Sequence, residues 1–293
     1  MKVRNTVSLL IVCFLILVTG CSSVQPENKS VPVNSGVLKV TFIDVGQGDS
    51  ILIKTPSGKH LLIDGGPKEG EEAVLSTLKT KGVTDLSILV THNHADHISA
   101  LDDVVKQYKV NKIYMPEMPA KASVSMEKFL TTVQNKGLKL SKASAGLKLD
   151  LDEEVKAELV APLRQEYEEE NNYSAVLRLN YGETNFLFTG DAESLSEKDM
   201  LDSKMDLKAT VLKIGHHGSQ SSTSEKFLKA VSPKYAVISV GKDNDYNHPS
   251  DRILKRLQDL KVQTYRTDLY GTITVESDGK NVQLKTSKKG ETK

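Results

Sequence analysis

The chain has 293 residues, with 39 Lys and Arg against 38 Asp and Glu, for a formal charge of +1. A hydrophobic fraction of 38% and a charged fraction of 26% suit a globular body and exclude a disordered or multispanning chain. The near-neutral balance excludes a global basic field for nucleic acid, so any such contact must come from local clusters, and the absence of Trp argues against a surface of stacking platforms.

The first 20 residues read as a secretory signal. Lys2 and Arg4 form a positive n-region, Val7 to Val18 is an apolar run broken only by Ser8, and Val18-Thr19-Gly20 leads into Cys21. The run is short for a bilayer-spanning helix, which needs about 20 residues. The cysteine at its end resembles the lipobox of bacterial lipoproteins, which implies cleavage after Gly20 and a diacylglycerol on the Cys21 thiol. Several acyl chains give stable attachment, since each buried methylene contributes about 0.8 kcal/mol. The expected location is the extracellular face of the cell membrane. Removing Cys13 and acylating Cys21 leaves no disulfide, so stability must come from core burial. Residues 21–36 are the acylated Cys and a polar tether, residues 37–287 the folded domain, and residues 288–293 a tail.

From Val37 one pattern runs twice. The first pass is a hairpin from Ser50-Ile51-Leu52-Ile53, through Pro56-Ser57-Gly58, to Leu61-Leu62-Ile63-Asp64-Gly65-Gly66. The second starts at Ser174-Ala175-Val176-Leu177, turns at Tyr181-Gly182 and returns as Phe186-Leu187-Phe188-Thr189-Gly190-Asp191. Each is followed by a strand ending in His and then an amphipathic helix. Leu86 to Val90 leads to His92 and a helix with Ile98, Leu101, Val104 and Val105 on one face. Val211 to Ile214 leads to His216 and His217, and a helix capped by Ser224 carries Phe227, Leu228 and Val231. Further helices are read at Glu71 to Lys81, at Ser125 to Lys136 with Met126, Phe129, Leu130 and Val133, and after a Ser250 cap with Ile253, Leu254, Leu257 and Leu260. A closing hairpin turns at Asp278-Gly279. The tandem unit implies a single α/β domain, a four-layer αββα sandwich with both His-bearing loops at one edge. Its rival is two unrelated α/β stretches that look alike.

His92 and His94 leave a strand two residues apart, so their rings share a side. Asp96 and His97 follow where the chain turns into a helix and can face a second position. Three imidazoles and a carboxylate within six residues suit zinc, with manganese or iron as rivals. Asp64, beside Gly65-Gly66, reads as a buried brace for the metal loop, Asp44 and Asp49 order a Gly turn, and His60 is a surface residue.

The run Thr91-His92-Asn93-His94-Ala95-Asp96-His97 resembles the HxHxDH signature of metallo-β-lactamase-fold hydrolases. That resemblance implies two divalent metal ions (Zn or Mn): His92 and His94 at site one, Asp96 and His97 at site two, Asp191 as bridging carboxylate and His217 as the last site-two ligand. Many members supply a third His to site one before the Gly-Asp turn. Here the segment reads Glu170-Asn171-Asn172-Tyr173-Ser174, so the amide of Asn171 or Asn172, or water, is expected instead, which favours manganese or partial occupancy. The set Phe42 to Ser50, Leu62 to Gly66, Lys213 to Ser219 and Asn247-His248-Pro249 is similar to the extracellular metallo-β-lactamase domain of ComEC-type competence DNA-uptake proteins. No stretch after the signal is apolar enough to span a membrane, so their channel part is expected to be absent.

Two metals about 3.5–4 Å apart lower the pKa of a bridging water and align the hydroxide with a phosphorus or carbonyl. Asp96 or Asp191 can take the hydroxide's proton. Lys213, His216 and Ser219 are candidates to bind a phosphate oxygen, although Lys213 also reads as a solvated strand residue and Ser219 as a turn residue. His216 also reads as a support for the ligands, and His248 as a phosphate contact, a support or the start of the last helix. The implied function is an extracellular, membrane-anchored, metal-dependent phosphodiesterase or nuclease acting on DNA. Its rivals are a hydrolase of a choline-phosphate ester or lactone, and a lipoprotein that binds DNA or a partner without turnover.

Overall fold

The computed structural model describes residues 36–119 and 123–290; the signal, Cys21, residues 22–35 of the tether and residues 291–293 of the tail lie outside the described residues. The chain first lays down β1 (Leu38–Phe42), β2 (Ile51–Lys54), β3 (His60–Ile63), β4 (Asp85–Leu89), β5 (Lys109–Met115) and β6 (Leu140–Lys142). A second series follows: β7 (Lys148–Leu149), β8 (Val155–Ala161), β9 (Val176–Tyr181), β10 (Thr184–Phe188), β11 (Val211–Lys213), β12 (Tyr235–Ile238) and β13 (Gln263–Arg266). The chain then returns to the first sheet with β14 (Ile273–Ser277) and β15 (Val282–Thr286). The sheets have eight strands, ordered β15-β14-β1-β2-β3-β4-β5-β6, and seven, ordered β13-β12-β11-β10-β9-β8-β7.

Side-chain alternation along the strands builds the layers. In β2, Ile51 and Ile53 enter the core between the sheets while Leu52 points outward; Leu61 and Ile63 against Leu62, and Phe186 and Phe188 against Leu187, divide the same way. A strand covered on both faces needs a continuous apolar run, which is why these segments are apolar at every position. Phe42 meets Phe188 across the sheets at 6.2 Å between ring centroids.

Helices α1 (Glu71–Thr80), α2 (Ala95–Ile98), α3 (Leu101–Gln107) and α4 (Val124–Asn135) cover the first sheet with Val74, Leu78, Ile98, Val104 and Phe129. Helices α5 (Ser194–Asp202), α6 (Glu225–Val231) and α7 (Asp251–Asp259) cover the second with Met200, Phe227 and Ile253, and α8 (Thr267–Tyr270) is a single turn after β13. The four-layer αββα order expected from the repeat is therefore the one observed. Both halves pair an antiparallel hairpin with a parallel third strand, β2–β3 with β4 and β9–β10 with β11. The loops leaving β3, β4, β10 and β11 thus emerge at carboxyl ends of parallel strands, where α/β sheets place their sites.

The helix read after the His run is broken into α2 and α3. Gly65 and Gly66 donate to the His97 carbonyl at 2.7 and 3.1 Å, and a Cβ on Gly65 would meet Leu101 at 2.9 Å. The break lets the Asp64-Gly65-Gly66 loop lie against the helix start. Leu130 and Leu260, named with the apolar residues of their helices, are exposed. Ser224 caps α6 through Phe227 N, whereas the Ser250 hydroxyl donates to the Gly218 carbonyl instead of accepting from its own helix. Among the described residues no helix is long and apolar enough to cross a membrane.

Candidate metal centre

Asp191 lies in the turn after β10 and is buried. Its Oδ2 is 3.3 Å from His97 Nε2, 3.5 Å from His217 Nε2, 3.8 Å from His216 Nε2 and 3.9 Å from His92 Nε2. Asp96 Oδ2 is 3.2 Å from His217 Nε2 and 3.7 Å from His97 Nε2. One donor atom each from Asp96, His97, Asp191 and His217 lies within 4.8 Å of the others. The loops after β4, β10 and β11 supply these groups, and the loop after β3 places Asp64 behind them.

The outer nitrogens are held by acceptors. His97 Nδ1 donates to Asp64 Oδ2 at 2.8 Å, and His217 Nδ1 donates to the Ser239 carbonyl at 2.9 Å. Thr91 spends its single hydroxyl proton on Asp64 Oδ2, at 2.6 Å. It must therefore accept from His92 Nδ1, 3.0 Å away. Each arrangement turns Nε2 toward Asp191. Asp64 also accepts from Thr91 N at 2.8 Å, so it is the buried brace of the loop.

Burial opposes charge on His97 and His217, but the surrounding carboxylates, Asp191 first and Asp96 with it, together outweigh it, holding His97 well above its usual pKa and pushing His217 up to about 10. Burial likewise opposes ionisation of Asp191, yet His217 and His97 hold its carboxyl well below the usual range. His92, buried and next to His97, is held well below its own. The centre requires positive charge, as protons on the rings or as a cation in their place. His97 Nε2 and Asp191 Oδ1 are buried without a hydrogen-bond partner. With a mixed imidazole and carboxylate donor set, the residues fit a divalent cation.

Of the residues assigned to site one, His92 is buried and His94 is open. His92 Nε2 and His94 Nδ1 are 3.1 Å apart, yet among the described residues neither ring belongs to a mutually close donor group. His94 Nε2 faces Glu170 Oε2 at 3.0 Å. Of the two expected Asn ligands, Asn172 has its amide oxygen committed, whereas Asn171 Oδ1 is buried without a hydrogen-bond partner. Asn172 Oδ1 accepts from Glu193 N and Ser196 N at the start of α5, and Asn171 Nδ2 donates to Glu193 Oε1 at 3.1 Å. A further close group, Asp49, Asp64 and His97, is already balanced by Lys213 and Thr91.

Lys213 corrects an expectation. Its side chain is fully buried, its Nζ lies 2.7 Å from Asp49 Oδ2, and it donates to the Ile214 carbonyl at 2.8 Å. It cannot bind a phosphate in the cleft, because the alternation that points Leu212 outward turns Lys213 inward. Asp49, read only as a turn residue, also lies 3.5 Å from His217 Nδ1.

His216 is placed beside the cluster with its Nδ1 3.2 Å from Glu193 Oε1. Ser221 Oγ donates to the same carboxylate oxygen at 3.0 Å, and Ser219 Oγ contacts Ser221 Oγ at 2.9 Å. His248 packs edge-on to His216, with centroids 5.6 Å apart. His216 and His217 both hold left-handed backbone, at φ 47° and 53°, which costs roughly 1–3 kcal/mol per residue and is characteristic of functional loops. Glu170 and Glu193 were missed in the sequence. Glu193 stands two residues after Asp191, while Glu170 ends the acidic run Glu168-Glu169-Glu170, which reads as solvated surface.

Residues 43–242 match the metallo-beta-lactamase superfamily. The chain is 32% identical over 281 residues to ComE operon protein 3 of Bacillus subtilis (strain 168), across 88% of this chain and 36% of that protein. It is 33% identical over 264 residues to Competence protein ComA of Neisseria gonorrhoeae, across 88% of this chain and 34% of that protein. It thus spans about a third of the length of these curated relatives. Among solved structures, the metallo-beta-lactamase fold protein YhfI from Bacillus subtilis superposes with a TM-score of 0.52 at 12% identity, across 85% of this chain and 100% of that one. CmlA, a diiron beta-hydroxylase from Streptomyces venezuelae, gives 0.55 at 14% identity, across 81% of this chain and 53% of that one. These two likenesses speak for the fold alone.

Proposed function

Because the chain belongs to the metallo-β-lactamase superfamily, a family of metal-dependent hydrolases, we propose that its reaction is metal-dependent phosphodiester hydrolysis, with DNA the first substrate. The observation that carries this is the Asp191 carboxylate, buried and ringed by four imidazole Nε2 atoms within 3.9 Å. Two relatives carry competence or the ComE operon in their names, which favours DNA over a lactone or a choline-phosphate ester.

Divalent cations, two if both sets fill, would lower the pKa of a water molecule and neutralise charge developing on phosphoryl oxygens. Asp96, His97, Asp191 and His217 would hold one, and His92 and His94, with Asp191 shared, the other; Zn and Mn both suit these donors. The protein contributes orientation. Asp64, Thr91 and Ser239 fix the rings, and the Lys213–Asp49 pair sits behind His217. His94 and His216 are the more open rings, their side chains 37% and 25% exposed, so an incoming phosphodiester meets them first. Asp96, whose side chain is 35% exposed against 2% for Asp191, is the carboxylate more open to accept a proton. The anchor on Cys21 and the extracellular location belong to the same proposal.

The test is linear DNA incubated with purified protein and manganese or zinc, alongside Asp191→Asn. Cleavage by the native chain alone supports the reading. No cleavage at stoichiometric protein, with bound metal demonstrated, defeats it.

A further inference from the structure

The family resemblance leaves the first metal position short of one imidazole, with an Asn amide or water expected in its place. The geometry adds another residue with a different duty. We propose that Glu170 is the positioning residue of that position, accepting the Nε2 proton of His94 and so presenting His94 Nδ1 to the cation. The inference rests on the reading that His92 and His94 serve a metal.

His92 Nε2 and His94 Nδ1 approach to 3.1 Å, so these two atoms are the ones converging on a shared position. The opposite nitrogen of His94 lies 3.0 Å from Glu170 Oε2, a hydrogen-bond distance. A carboxylate on the outer nitrogen fixes both the tautomer and the ring plane of a metal-binding histidine, and raises its basicity. His94 needs that support most, because its side chain is 37% exposed while His92 and His97 are fully buried. Glu170 opens the short 3-10 turn Glu170–Tyr173, whose end is pinned by the buried Tyr173 hydroxyl accepting from Tyr167 N at 2.9 Å. Asn172, accepting from Glu193 N and Ser196 N, ties the same turn to the start of α5. The carboxylate therefore reaches His94 from a fixed base, across the cleft from the first sheet.

A distinctive consequence separates this residue from the others. Partners at Nδ1 put the proton there in His92, His97 and His217. Glu170 puts it on Nε2 in His94, the opposite tautomer within the same cluster.

Nitrogen-15 histidine NMR on metal-free and zinc-loaded protein reads this directly, and titration with manganese or zinc reads each metal equivalent. In the native chain His94 is expected as the Nε2–H tautomer. Glu170→Ala is expected to scramble that tautomer and weaken one metal equivalent by about 10- to 100-fold, leaving the equivalent held by Asp96, His97, Asp191 and His217 unchanged. Glu170→Gln, which keeps an acceptor oxygen, should restore part of both and controls for folding. A native His94 carrying its proton on Nδ1, an alanine variant with native tautomer and affinities, or equal weakening of both equivalents would overturn the proposal. A native chain that binds no metal while His94 shows the Nε2–H tautomer would defeat the hydrolase reading and the metal duty of Glu170 together, leaving only its contact with His94.

Discussion

Lys213→Met puts a magnitude on the least expected contact in the molecule. The change keeps an unbranched side chain but removes the ammonium 2.7 Å from Asp49 Oδ2, in a pair whose side chains are 0% and 2% exposed. At an effective dielectric of about 20 the attraction at that separation is about 6 kcal/mol, set against the desolvation of both ions. What the substitution measures is the cost of a buried carboxylate left without a counter-charge, about 3–5 kcal/mol. For a protein of this size each kcal/mol shifts Tm by about 2–4 °C, so Tm should fall by roughly 6–20 °C. Scanning calorimetry and urea unfolding measure it. The double variant Asp49→Asn, Lys213→Met should be destabilised by clearly less than the sum of the singles, because it removes both charges together. A Lys213→Met protein within about 1 kcal/mol of native stability, or strictly additive singles, would refute the argument.

Asp191→Asn should lower metal content and reduce hydrolysis of a chromogenic phosphodiester by at least about 100-fold, since one substitution removes the carboxylate shared by the cluster. Zinc or manganese at about 100 times its dissociation constant should stabilise the native chain by about 2.7 kcal/mol and Asp191→Asn by much less, as a thermal shift would show. Phe188→Ala, which empties the inter-sheet core opposite Phe42, should cost about 3–5 kcal/mol in urea unfolding. Cys21→Ala should abolish labelling by radioactive fatty acid and release the protein from membranes, whereas unchanged fractionation would remove the anchor from the account.

The fold was legible because apolar runs with regular punctuation report burial directly. The Ile51 to Ile53 and Phe186 to Phe188 runs each recur before a Gly/Asp turn, and that repeat carried the architecture. The cluster was legible where ligands are close in sequence, as from His92 to His97. Of the partners brought in from afar, Asp191 and His217 came only through the family resemblance, and Glu170 and Glu193 did not come at all. Glu170 reaches His94 across 76 positions, and nothing in an acidic run marks which carboxylate turns inward. Lys213 was misread for a related reason: a charged residue in a short strand looks solvated until its partner, Asp49, is placed by another loop. Asn172 shows the converse, a polar residue beside the site whose oxygen is committed to a helix start.

Crystals soaked in manganese or zinc and measured at the metal's absorption edge examine the central claim most directly. The account expects an anomalous peak enclosed by Asp96, His97, Asp191 and His217, with a second, weaker peak beside His92 and His94. A map without anomalous density next to Asp191, from crystals shown to contain the metal, would contradict it.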